Sequence, residues 1–421
     1  MIYIRKTSFI ILAISLLSLL SACGKTVLED ANDFISPIDE ITIPENVQII
    51  GLGEATHGNI EFQELKKDVF QVLLEQENVR VFILEGDFGG AQQINDYILN
   101  GNGTAKDVIE TLDYGIYRTK QMIDLIEWMH NYNKTADEDE KIYFYGNDMQ
   151  RYDYSKAGLL NYFSTVDPNT SKKFGAQLEH VTNDTMHDLT QEELEELNKT
   201  IDSILTDLHT NEADYIKQSS QESFSLAQQY ARIMKQRTDL LMNEGSYARI
   251  RDQYLAENLE WIVEFESTQG RDKVFVSAHN GHIEKTSAAF GYESMGDYID
   301  EKYGDRYFAI GTDFMTSSFQ AFNSAAEERK NYTVKNNNKL VTAFKNVDPN
   351  IFYVDFVRAN ESSVLHDIIS SEQKMPNIGD DFRPWYKSLT FFYTIKMIPN
   401  ESYNGIIIVK EATPTVVINN H

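Results

Sequence analysis

The sequence predicts an α/β fold, with a central sheet flanked by helices and a long all-helical insertion. Three observations predict it. Short apolar runs of strand length start near residues 47, 79, 141, 273, 307, 351 and 405; a helical period fills the intervals between the first three; and no strand-like run occurs between about 155 and 268. The chain has 421 residues, 42% of them hydrophobic, which is enough for one large domain carrying an insertion. With 22 Gly and 8 Pro it is not low-complexity.

The elements follow in order. Arg5 and Lys6 are cationic, residues 9–20 are apolar, and small residues surround Cys23, the one cysteine in the chain. That order resembles a bacterial lipoprotein signal. It leads us to expect removal of 1–22, lipid attachment at Cys23, and a mature chain on the extracytoplasmic face of a cell membrane. The apolar run is short for a spanning helix. Residues 23–42 have no sustained period and carry Glu29, Asp30, Asp33, Asp39 and Glu40, so they read as a tether. The α/β domain is expected at 43–154 and 269–421. Its first run ends in Gly53-Glu54 and leads into a helical period with apolar residues at 62, 65, 69, 70, 72 and 73. The second run ends in Glu85-Gly86, helical patterns follow at 90–99, 104–112 and 119–132, and the third run ends in Gly146-Asn147-Asp148. The insertion, 155–268, carries a stripe of Leu194, Leu197, Ile201, Ile204 and Leu208, and another of Leu255, Leu259, Ile262 and Val263.

There are 65 acidic and 38 basic side chains, a net charge of −27, and no basic stripe beyond the N-terminus. That excludes nucleic acid as partner, because phosphate binding needs concentrated Lys and Arg. Ligands of open α/β sheets bind beyond the carboxyl ends of strands. Three runs end there in ionisable groups: Glu54 through His57, Glu85 with Asp87, and His279 through His282. Glu54 with His57, and His279 with His282, stand three residues apart and can share one face of a helical turn. Such a set can activate water. A neutral His takes the proton, a carboxylate fixes its tautomer, and further donors stabilise an oxyanion. The plain alternatives are that each Glu caps the next helix and each His is a hydrogen-bonded loop residue. Coincidence at three separate strand ends favours the site. His130, His180, His187, His209, His366 and His421 lack such company.

Three imidazoles and two carboxylates also suit zinc or manganese, although the spacing is not His-Glu-x-x-His on one helix. No cofactor is required, and a divalent metal at the His/Glu cluster is the variant reading. There is no Gly-x-Ser-x-Gly elbow, and no thiol remains once Cys23 is consumed. The rival from another class is a lipid-anchored solute-binding protein without turnover, which would gain little from three His beside two Glu.

At these residues the chain resembles the erythromycin esterase family, some members of which are labelled by similarity to succinoglycan biosynthesis proteins. The resemblance rests on Gly51-Leu52-Gly53-Glu54-Ala55-Thr56-His57-Gly58, Phe82-Ile83-Leu84-Glu85, Arg118-Thr119, Asp148-Met149-Gln150, Arg251-Asp252 and Ala278-His279-Asn280-Gly281-His282, in order across about 47–415. It implies a hydrolase of a small-molecule ester, a macrolide lactone in the antibiotic-inactivating members. His57 would be the general base, Glu54, Glu85, His279 and His282 would complete the site, and Lys66 and Arg118 would contact substrate. The chain departs from the family pattern at Asn147, where an aromatic residue is common, which bears on substrate choice.

Overall fold

The computed structural model describes residues 27–289 and 291–418; the expected leader and Cys23 lie outside the described residues. Each of the seven apolar runs becomes a strand: β1 Ile49–Glu54, β2 Val81–Asp87, β3 Tyr143–Asp148, β4 Val274–His279, β5 Tyr307–Asn323, β7 Ile351–Asp355 and β10 Gly405–Ala412. Three more strands were not expected: β6 Glu328–Lys335, β8 Gln373–Pro376 and β9 Thr394–Met397. The main sheet has the order β3-β2-β4-β1-β5-β10-β7, with β6 paired to the far half of β5. Its strands from β3 to β10 run parallel, and β7 and β6 are antiparallel to their neighbours. β8 and β9 form a separate antiparallel pair.

Strands β1, β2 and β4 are buried along their whole length, which is why they read as continuous apolar runs. Alternation within each run still decides faces. Ile50, Leu52, Phe82, Leu84 and Phe275 join one core, under helices Ile60–Glu77 and Lys120–Asn133. Ile49, Val81, Ile83, Val274 and Val276 join the other, under Tyr247–Ser267 and Met295–Tyr303.

Among the described residues, the stretch between β3 and β4 is helical, running from Asp153–Val166 to Tyr247–Ser267. A third core, including Leu159, Phe174, Leu197, Ile201 and Phe224, belongs to this stretch. Its last helix behaves differently: Leu255, Leu259 and Ile262 pack into the core of the sheet. The tether reading needs correction from residue 28 on. Leu28 and Ala31 are buried in the second core, Leu28 N–H donates to the Ala343 carbonyl at 3.1 Å, and Ser36 pairs with Tyr353. Acidic residues between these anchors conceal the apolar ones in the sequence pattern.

Register brings the strand ends level. Glu54 lies opposite His279, and Leu84 opposite Ser277, so the carboxyl ends of β1, β4 and β2 form one row.

Candidate active site

Close packing at two glycines shapes this row. A Cβ at Gly53 would lie 2.2 Å from Asn280 Oδ1, the atom that accepts the Thr312 backbone N–H at 3.1 Å. One at Gly58 would fall 2.0 Å from the Gln320 carbonyl oxygen, where the Gln320 N–H bonds the Gly58 carbonyl at 3.0 Å. After Glu54 the chain therefore makes a tight turn against β5, and the helix waits until Ile60. Glu54 and His57 share that turn and not a helical face, which corrects the sequence expectation. Neither Glu54 nor Glu85 caps a helix: the residues at those helix starts are Asn59 and Asp87, and Asp87 accepts the Gly90 N–H at 2.5 Å.

The first constellation is Glu54 between two partners. One carboxylate oxygen bonds His57 Nδ1 and the other Lys66 Nζ. Glu54 and Lys66 are 2% and 0% exposed while His57 is 11% exposed, so the imidazole is the member that reaches solvent. Burial alone would raise the Glu54 pKa, but Lys66 and then His57 outweigh it and hold the carboxyl at about 2. Burial works to lower the His57 pKa, yet the Glu54 charge prevails and raises it above its ordinary value, helped by Glu85 and Asp380. Gln63 Nε2 fixes the turn by donating to the His57 carbonyl at 2.9 Å and the Ile116 carbonyl at 3.1 Å. Lys66, expected to contact substrate, lies behind Glu54, out of reach of the cleft.

The second constellation centres on Arg251, from helix Tyr247–Ser267. Its Nη2 donates to Glu85 Oε1 at 2.7 Å and to Asp148 Oδ2 at 2.6 Å. The other Glu85 oxygen accepts the His279 backbone N–H at 2.9 Å. Against the cost of burial, His282 and Arg251 hold the Glu85 carboxyl well below the usual range. The next helix residue, Asp252, takes His282 Nδ1 at 2.6 Å, and His282 Nε2 stands 3.4 Å from Glu85 Oε1 and from Arg251 Nη1. The His282 pKa is raised, with burial opposed by Asp252 and then Glu85. His279 differs: burial, then the nearby His57, push its pKa down to about 3, so it stays neutral. Its Nε2–H donates to the Ile378 carbonyl at 3.1 Å, and its ring centroid is 5.0 Å from that of His57.

His57, Glu85, Tyr114, Gln150, Arg251 and Asp380 help to line a cleft of about 300 Å³. The structure thus brings together all five of the expected Glu and His residues. Arg118 is not in the cleft lining; it pairs with Glu110 at 3.3 Å. Asn147 is fully buried and donates to the Leu255 carbonyl at 3.1 Å, so it faces a helix rather than substrate, contrary to the part expected for it. His130 stacks near Tyr97 and His187 meets Arg237, away from the site.

Sequence reasoning missed Arg251, Asp252, Asp148, Tyr114 and Asp380 as parts of the site. Asp148 carried the same signal as Glu54, a carboxylate ending an apolar run. The metal variant fits poorly. Lys66 and Arg251 already neutralise the carboxylates, and two of the three imidazoles have Nδ1 committed to carboxylates. Among the described residues no group of His, Cys, Asp and Glu is arranged to hold a metal ion.

The family model for erythromycin esterase matches residues 74–412. Erythromycin esterase type II of Escherichia coli is 25% identical over 310 residues, covering 67% of this chain and 72% of the relative. A crystal structure of a Bacillus cereus protein superposes with a TM-score of 0.78 at 24% identity, covering 89% of this chain and 91% of that one. An erythromycin esterase mutant in its open conformation superposes with a TM-score of 0.67 at 14% identity, covering 91% and 94%. The two structural likenesses show a shared fold.

Proposed function

The chain belongs to the erythromycin esterase family, and from that premise we propose that it is an extracytoplasmic hydrolase, lipid-anchored at Cys23, that cleaves a carboxylic ester with water, macrolide lactones being among its substrates. The observation that carries this reading is the Glu54–His57 pair at the cleft wall, backed by Lys66.

Glu54 accepts the Nδ1–H of His57, so Nε2 is the nitrogen that can take a proton. Glu54 raises the basicity of the ring. Lys66, by sharing that carboxylate, tempers the rise and keeps the imidazole from being permanently charged. In the reaction, His57 Nε2 removes a proton from water as the water oxygen bonds to the ester carbonyl carbon. Neutral His279 has Nδ1 left to accept the second water hydrogen, which orients the nucleophile. Negative charge then gathers on the carbonyl oxygen, and the Arg251 guanidinium on the cleft wall stabilises it. When the C–O bond to the leaving alkoxide breaks, the proton on His57 Nε2 passes to that oxygen. The products are an acid and an alcohol, and for a lactone both lie in one molecule heavier by one water. Glu85, Asp148 and the Asp252–His282 pair are positioning residues that hold Arg251 in place.

Incubation of the protein with a panel of macrolides and simple esters, read by mass spectrometry with and without a chelator, tests the proposal. A gain of one water that persists in chelator supports it. No turnover of any ester, with ligand binding retained, would favour a solute-binding protein instead.

A further inference from the structure

Away from the cleft, two hollows of about 570 and 300 Å³ adjoin, sharing Lys335, Asn336, Asn337 and Lys339 in their walls. Together they present Lys335, Lys339, Lys345, Lys374 and Lys410, against Glu372 and Glu411. In a chain with 65 acidic and 38 basic side chains this local excess of cations runs against composition. Glu372 is already paired with Lys396 at 2.7 Å, whereas Lys335, Lys339, Lys345 and Lys374 form no ion pair among the described residues. The segment that carries Lys335 and Lys339 is anchored from beneath. Asp313, fully buried, accepts the side-chain amides of Asn336 at 2.8 Å and Asn338 at 2.9 Å, and the Asn336 backbone N–H bonds the Met315 carbonyl at 2.9 Å.

A second observation adjoins the first. Thr390 and Thr394 are part of the smaller hollow's wall, and the loop leading into it exposes Trp385 by 51%, Leu389 by 48% and Phe391 by 66%. Tyr386 and Phe392 stack at 4.8 Å and give that loop a fixed shape. A soluble anion would need the lysines but not the exposed apolar groups, and an apolar protein partner would not need the lysines. Aromatic side chains seated at headgroup level beside lysines that reach phosphate suit a lipid interface.

A third observation concerns where the chain enters the body. Leu28 bonds Ala343, in the helix Lys339–Ala343 whose start carries Lys339 and beyond whose end lies Lys345. The chain from Cys23 to Leu28 can span at most about 18 Å. A lipid on Cys23 would therefore put this face beside the bilayer. This point rests on the anchoring proposed above, and the first two do not.

We propose that the lysine-walled hollows and the 385–391 loop form one docking face for the phosphate headgroups of an anionic phospholipid surface. Asp380, in the cleft wall, precedes the loop by a few residues, so docking holds the cleft near the interface, where apolar esters partition.

The test uses the chain from residue 24 onward, which contains all three cores and carries no acyl group. It is mixed with vesicles of phosphatidylcholine alone or with phosphatidylglycerol, and read by co-sedimentation and tryptophan emission. The expected result is salt-sensitive binding to the anionic vesicles only, with a blue shift from Trp385. Lys335→Gln with Lys339→Gln lowers affinity by roughly 25-fold, at about fivefold per lysine. Trp385→Ser with Phe391→Ser removes the shift. No binding to anionic vesicles, or binding indifferent to both variant pairs, overturns the proposal. So does binding of inorganic pyrophosphate that competes with vesicles while Trp385 emission stays unshifted, which would mark a soluble-anion site. Acylation plays no part in this assay, so its failure is separate from a failure of the anchoring, which fatty-acid incorporation reads.

Discussion

Replacing Lys66 by Met removes the cation that lies behind the Glu54–His57 pair and leaves its shape nearly intact. Lys66 and Glu54 are 0% and 2% exposed, so solvent screens their attraction little. The Glu54 pKa is lowered from 4.5 to about 2, chiefly by Lys66 once burial is overcome. A shift of that size corresponds to about 3 kcal/mol of preference for the charged form. Because the folded-state pKa is depressed, the stabilisation is present above the ordinary glutamate value and is lost as pH falls through the folded value near 2. Without Lys66, Glu54 is a buried carboxylate with only His57 as partner, and its pKa climbs. Lys66→Met is therefore expected to lose about 3–5 kcal/mol at pH 7, and to lose less further stability than the parent between pH 5 and pH 2. Urea unfolding at pH 7, at pH 5 and near pH 2 measures both. A variant as stable as the parent at pH 7, with an unchanged pH profile, refutes the assignment of Lys66 as the counter-ion of Glu54.

Arg251→Met leaves Asp148 a buried carboxylate without its cation and Glu85 with His282 alone; a loss of about 3–5 kcal/mol in urea unfolding, with activity abolished, is expected, and a fully stable variant would show that Arg251 does not neutralise them. If His57 is the proposed general base, kcat/KM should rise with pH through an apparent pKa above the ordinary imidazole value, since the base must be neutral and its pKa is raised. In Glu54→Gln that limb should move to lower pH, because the charge that raises the His57 pKa is gone; a limb that stays or moves up would separate Glu54 from His57. Cys23→Ser should abolish fatty-acid incorporation and turn salt-resistant membrane association into a salt-sensitive one, and unchanged incorporation would contradict the lipid reading.

Much of the fold was legible because a sheet covered on both faces demands continuous apolar runs, and all seven of those became strands, six of them parallel and β7 antiparallel at the edge. What escaped has a physical reason in each case. Strand β6 is solvent-facing at Glu328, Lys330 and Asn331, and only Tyr332 and Val334 mark a buried side, too few to show a period. β8 ends in Pro376, which reads as a stop signal. The strand-end rule found Glu54, Glu85, His279 and His282, since register sets the ends of β1, β2 and β4 level. It could not find Arg251 and Asp252, which come from the second turn of a helix, where a charged pair looks like a solvated face. The substrate contact expected of Lys66 rested on the family resemblance, and the residue is instead 0% exposed and paired with the buried Glu54. The acidic stretch after Cys23 read as a tether because Leu28 and Ala31 are too few to set a period, and only the contacts with 343 and 353 reveal that it is packed.

In the proposed mechanism His57 Nε2 takes the proton from the attacking water. Turnover of the best ester from the panel by His57→Ala, compared with the parent under matched pH and with chelator present, tests it most directly. A fall in kcat of about 10² to 10⁴, a KM little changed, and unaltered circular dichroism are expected. A chelator-insensitive His57→Ala enzyme with near-parental kcat would contradict it.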